Sequence, residues 1–171
     1  ILISSNLERL LYNLSGNNGV EIKKLMTDLE EKKVYEVSDK IKEGLAEAFY
    51  GGFATVEETN DVIGRVYKES NYLMDTHTAV AFKVYESYKA ETGDETPTII
   101  ASTASPYKFA DSVAKAIGVK ECNDGFEYLK EVNEFTGVAI PAGLKDLDKK
   151  EIRHTGVLDV KEMPNSVLNL F

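Results

Sequence analysis

Apolar residues recur at helical spacing along most of this chain, and two apolar runs, residues 1–4 and 98–102, lack that spacing and read as strands. Leu7, Leu10, Leu11 and Leu14 form the first stripe, with Glu8 and Arg9 between them and Ser4, Ser5 or Asn6 able to cap it. The SGNNG that follows has the composition of a phosphate-cradling loop. It comes after a helix instead of opening one, so an ordinary C-cap and linker are predicted. Val20, Ile22, Leu25, Met26 and Leu29 describe a second, solvent-facing amphipathic helix. After a short extended piece, Ile41, Leu45, Ala48 and Phe49 describe a third, capped by Ser38 or Asp39. Thr55 and Glu58 have capping-box spacing ahead of Val56, Val62, Ile63 and Val66. Asp75 is a good N-cap for the longest helix, which carries Ala79, Val80, Phe82, Val84 and Tyr88 to a stop at Gly93. Phe126, Leu129, Val132 and Phe135 mark a further helix ending at Gly137. The alternating tail from Val157 is predicted to pack back onto the body.

The stretch with the most chemical content is TIIASTASPYKFADSVAKAI, residues 98–117. Small and β-branched residues fit a strand covered on both faces, and Ser105 and Pro106 suit the N-cap and first position of a helix closing at Gly118. In open α/β sheets ligands sit beyond the carboxyl ends of strands, where helix N-termini offer free N–H groups. Ser102, Thr103 and Ser105 occupy that place. Their hydroxyls either line a ligand site or cap the helix and satisfy the turn. Lys108, in the first turn, runs against the helix dipole, which a nearby anion would explain and plain solvation would explain as well. His77 lies in the first turn after Asp75, where the dipole disfavours imidazolium. A neutral, hydrogen-bonding ring is expected, in a structural role or in contact with an active site.

Composition narrows the classes. The 171 residues allow one domain with a real core, and 43% apolar with 9% aromatic residues excludes disorder. Twenty basic against twenty-nine acidic residues give a net charge of −9, which disfavours nucleic acid and anionic lipid as partners. Cys122 is the only cysteine, so no intrachain disulfide forms and a reducing cytoplasm is expected. His77 and His154 have no metal-ligand spacing. No apolar run approaches the ~20 residues that span a bilayer. The chain opens without methionine on Ile1-Leu2-Ile3, a strand signature with nothing before it. The expectation is a piece, residues 1–171, of a protein whose missing part lies on the N-terminal side.

Spacing alone ends at a helix-rich α/β chain with one hydroxyl-lined strand end. SSNLERLLY at residues 4–12, DTHTAVAF at 75–82 and STASPYKF at 102–109 go further: in that order they resemble motifs of the C-terminal half of threonine synthase. The resemblance implies the C-terminal portion of a fold-type-II, tryptophan synthase beta-like fold, three-layered with a partial parallel sheet. It also implies the cofactor pyridoxal 5'-phosphate and conversion of O-phospho-L-homoserine and water to L-threonine and phosphate. The family's Schiff-base lysine sits in an SFKD-like motif beside a Gly- and Asn-rich phosphate loop. Neither pattern is present here, so no residue of this chain is named as catalytic, and the chain alone is expected to be inactive and to self-associate through uncovered apolar surface. By resemblance Thr103 hydrogen-bonds the cofactor's pyridine nitrogen, with Ser102 beside it; Lys108 and His77 are candidates on the substrate side. The family reads DPHTAV where Thr76 stands here, which weakens the rigidity of the helix start. The alternatives are a non-catalytic ligand-binding or interaction module related to these enzymes, and a lyase of the threonine dehydratase type.

Overall fold

The computed structural model describes residues 4–169, among which the ordered elements are helices. In chain order they are α1 (Ser5–Leu14), α2 (Gly19–Lys32), α3 (Asp39–Ala48), α4 (Val56–Ser70), α5 (Thr76–Thr92), a 3-10 turn (Pro106–Phe109), α6 (Ala110–Ile117), α7 (Gly125–Thr136), a 3-10 turn (Leu147–Lys149) and α8 (Met163–Leu168).

Their ends follow from local chemistry. The Ser4 hydroxyl accepts from the Leu7 N–H at 3.3 Å to start α1. Asn18 accepts from the Glu21 N–H at 3.2 Å to start α2, so SGNNG is the linker its position suggests. Thr55 and Glu58 make the reciprocal pair of a capping box, the Glu58 N–H on the Thr55 hydroxyl at 3.2 Å and the Thr55 N–H on the Glu58 carboxylate at 2.8 Å. Asp124 opens α7 by accepting from the Phe126 and Glu127 N–H groups. Gly118 and Gly137 end α6 and α7 with φ of 84° and 71°, a conformation that costs a side chain and suits glycine. Ser38 departs from this pattern. It stands at the start of α3 but spends its hydroxyl on Glu21, 2.8 Å away in α2, with no cap bond.

The chain divides into two compact units, one made of the stretch up to Thr59 with Val80–Ile100, the other of Asn60–Ala79 with the chain from Ala101 onward. In the first, Leu11, Ile22, Leu25 and Ile41 from α1, α2 and α3 form a buried cluster. Leu14, Met26, Tyr35, Val37 and Leu45 pack against it. In the second, Ala110, Val113, Ala114 and Ile117, at i, i+3, i+4 and i+7, are the buried face of α6, which packs on α7 beside buried Leu129 and Val132.

Helix α4 approaches α6 so closely that a Cβ on Gly64 would lie 2.5 Å from the Ala116 carbonyl oxygen. Gly64→Ala is therefore expected to destabilise the fold by about 1–3 kcal/mol, although helix propensity alone would favour alanine by about 1 kcal/mol. Thermal unfolding followed by circular dichroism checks the sign. A raised Tm would show that propensity prevails over the backbone contact.

Two expectations from the sequence are corrected. Residues 98–102 form no strand: there is no β-strand among the described residues, and Ile99, expected to be covered on both faces, is 97% exposed. A strand exists only through its ladder, and no described segment pairs with this one. The partial parallel sheet is thus not present among these residues, and the other proposed strand, residues 1–4, lies outside them except for Ser4, which caps α1. The tail does not pack back: Val157, Leu158, Val160, Met163, Val167 and Leu168 are all exposed.

Candidate cofactor site

The residues singled out by sequence lie in the second unit, around the start of α5 and the turn before α6. Asp75 organises the first of these places. It is 1% exposed, and its carboxylate accepts from the His77 N–H at 2.9 Å, from the Thr78 N–H at 3.3 Å and from the Thr78 hydroxyl. Burial by itself pushes this carboxyl up. The bonds from Thr78 and His77, with the His77 ring nearby, outweigh burial and hold it below the ordinary value of 3.8. The N-cap predicted from Asp75 is thus realised with an ionised, fully engaged side chain.

A group whose carboxyl is depressed on folding adds stability that is complete above its unfolded value and is lost as pH falls through the folded one. Wild-type stability should therefore decline as pH drops below 3.8, the reference for the unfolded carboxyl. Asp75→Asn should flatten that decline. Asp75→Ala should cost roughly 2–4 kcal/mol at neutral pH, because it removes the cap and strands the buried Thr78 hydroxyl. Urea unfolding of the three proteins across acidic and neutral pH measures both effects.

Thr78, 5% exposed, connects this cap to the second place: its hydroxyl oxygen is 3.1 Å from that of Ser102. Ser102 and Thr103 are exposed, in extended backbone leading to Ser105, which caps the 3-10 turn by accepting from the Tyr107 N–H at 3.2 Å. The helix expected from Pro106 thus opens as a 3-10 turn and becomes α-helical at Ala110. Tyr107, 3% exposed, anchors that turn from below, its hydroxyl donating to the Val138 carbonyl. Thr103 has no side-chain hydrogen bond among the described residues, so its hydroxyl is free to donate outward.

His77 and Lys108 meet on one ring. The imidazole stacks on Phe109 with centroids 5.5 Å apart and 38° between planes, and the Lys108 ammonium lies 5.6 Å from the centroid of the same ring. The Nδ1 of His77 is 3.4 Å from the Asp75 carboxylate, and its side chain is 56% exposed. The structure therefore joins His77 to Lys108 through Phe109 and Ser102 to Asp75 through Thr78. Phe109 and Thr78 were not assigned roles from sequence. The Asp75-to-Thr78 interval is an N-cap spacing that signals their bond, but nothing local signals Ser102, 24 positions further on.

No group of three or more His, Cys, Asp or Glu suited to a metal ion exists among the described residues, and no helix there is long and apolar enough to cross a membrane. Thr103, exposed and with an uncommitted hydroxyl, can donate a hydrogen bond to a ligand there.

Comparison with known proteins bears on this. The family model described as threonine synthase, C-terminal, matches residues 78–167. Threonine synthase of Saccharomyces cerevisiae is 32% identical over 98% of this chain and 34% of its own length. Threonine synthase-like 1 of Homo sapiens is 34% identical over 72% of this chain and 16% of its own length. The crystal structure of pyridoxal-phosphate-bound threonine synthase from Brucella melitensis superposes with a TM-score of 0.69 at 30% identity, covering 98% of this chain and 32% of that one. The chain spans between about a sixth and a third of the length of these relatives.

Proposed function

Since the chain belongs to the threonine synthase C-terminal family, we propose that it is the C-terminal part of a threonine synthase that uses pyridoxal 5'-phosphate to convert O-phospho-L-homoserine and water into L-threonine and phosphate. The observation that carries the reading is the free Thr103 hydroxyl next to the anchored Ser102, in the motif STASPYKF and at the start of the turn into α6. When bound, the cofactor supplies the electron sink for loss of phosphate and addition of water.

Thr103 donates a hydrogen bond to the pyridine nitrogen. As a neutral partner it leaves that nitrogen largely unprotonated, where an aspartate would hold a pyridinium, and so it sets how strongly the ring withdraws electrons. Ser102 borders the same ring. The Schiff-base lysine and the phosphate loop belong to the part of the enzyme before residue 1, and residues 98–102 become a strand when that part pairs with them; the near-complete exposure of Ile99 and the one-third coverage of the relatives support this. The intact enzyme is expected in the cytoplasm.

His77 and Lys108 are placed on the substrate side. Two side chains that carry or can carry positive charge share the Phe109 ring, which suits a phosphate ester. Lys108→Met in the enzyme encoded by the whole reading frame should raise KM for O-phosphohomoserine about tenfold, the loss of one charge-assisted contact. An unchanged KM removes the role. The wider reading is tested by cofactor uptake: the whole-frame protein, dialysed and titrated with pyridoxal 5'-phosphate, should develop the visible absorption of a protein-bound cofactor. A folded protein that takes up none would favour a non-catalytic module.

A further inference from the structure

The bond network around Asp75 fixes which way the Ser102 proton points. The Asp75 carboxylate is an acceptor only, and three donors converge on it, one of them the Thr78 hydroxyl. Thr78 has a single hydroxyl proton, and Asp75 takes it. Its oxygen keeps lone pairs, and 3.1 Å away stands the Ser102 oxygen, which must then supply the proton between them. The chain of donors runs from Ser102 to Thr78 to Asp75, and it ends on a side chain that is 1% exposed inside the cap of α5.

We infer that Thr78 is a positioning residue: seated on the buried Asp75, it captures the Ser102 hydroxyl proton and so pins the turn that carries Thr103. Two consequences follow for the ligand face. Ser102 presents only lone pairs there, and Thr103 is the one donor of the two. The start of α5 and the turn before α6 are held together by this bond, and Thr78 acts on the ligand face only through Ser102. The Thr78 hydroxyl thus serves two partners, donating to the buried Asp75 carboxylate and accepting from Ser102, and a valine of the same shape would serve neither.

The inference deepens the cofactor reading above and rests on it for its effect on binding, but the coupling itself is independent of any ligand. The test uses the whole-frame protein and the variants Thr78→Val, Thr78→Ser, Ser102→Ala and the double variant Thr78→Val/Ser102→Ala. In the cofactor-free proteins, Tm is measured for each. The losses should be less than additive, because both single variants remove the same bond. Additive losses overturn the inference whether or not cofactor binds. In the second measurement, Thr78→Val and Ser102→Ala should each weaken pyridoxal 5'-phosphate binding about five- to tenfold, with the double variant no weaker and Thr78→Ser restored to wild type. Ser102 is exposed, so its alanine variant keeps the test valid if Thr78→Val folds poorly. Variants that lower Tm but bind cofactor like wild type reduce Thr78 to a structural residue and overturn the inference. A wild type that takes up no cofactor defeats the functional reading, and the Tm coupling then decides this one.

Discussion

Thr103→Val in the protein encoded by the whole reading frame is expected to lower the rate of threonine formation on the order of 100-fold, the usual consequence of deleting one preorganised donor at a reacting group. Valine keeps the shape and removes the proton. On the proposed reading the pyridine nitrogen would then lack its partner, and the ring would lose the contact that sets its electron demand. The protein should remain folded, because Thr103 is exposed and makes no hydrogen bond to other described residues. That separates this variant from Asp75→Ala, which removes a cap and costs stability. Thr103→Asp should behave differently again: a carboxylate would hold the ring protonated, with altered cofactor absorption and diversion toward side reactions. Steady-state rates together with cofactor spectra distinguish the two. If Thr103→Val turns over like wild type, the hydroxyl is not at the ring.

The second large effect is a complete loss. The 171-residue chain supplied with pyridoxal 5'-phosphate should release no phosphate from O-phosphohomoserine, because no lysine in it lies in the family's SFKD-like motif. It should also self-associate. Ile99 is 97% exposed, Val157 94% and Phe53 84%, apolar side chains that association would cover. Light scattering should show a mass that rises with concentration, accompanied by binding of a dye specific for apolar surface. A monodisperse monomer without dye binding contradicts the self-association, and phosphate release by the chain alone contradicts the assignment of the lysine to a preceding part.

The helices were legible because their boundaries are written locally. Asp75, Asp124, Asn18 and the Thr55–Glu58 pair each satisfy N–H groups within three residues, and Gly118 and Gly137 adopt positive φ where a helix must stop. A strand is written partly elsewhere. Residues 98–102 have the right side chains for one, yet the hydrogen bonds that would make it so must come from a neighbour, and no described segment supplies them. The tail misled for a related reason, since alternating apolar residues state a preference for burial without naming what buries them, and Val157 and Val160 stay in solvent. The candidates Thr103, Ser102, Lys108 and His77 stand out through the motifs that hold them. The contacts that relate them, Thr78 to Ser102 and Phe109 to both His77 and Lys108, depend on how α5 and the turn before α6 come together. No spacing rule reaches that far along a chain.

The most direct measurement is to supply the whole-frame protein with pyridoxal 5'-phosphate and O-phospho-L-homoserine and to count phosphate and L-threonine in the same reaction. One threonine formed per phosphate released, abolished by omitting the cofactor, is the result expected of a threonine synthase. Release of phosphate without threonine, or no turnover by a folded protein with its cofactor bound, would contradict it.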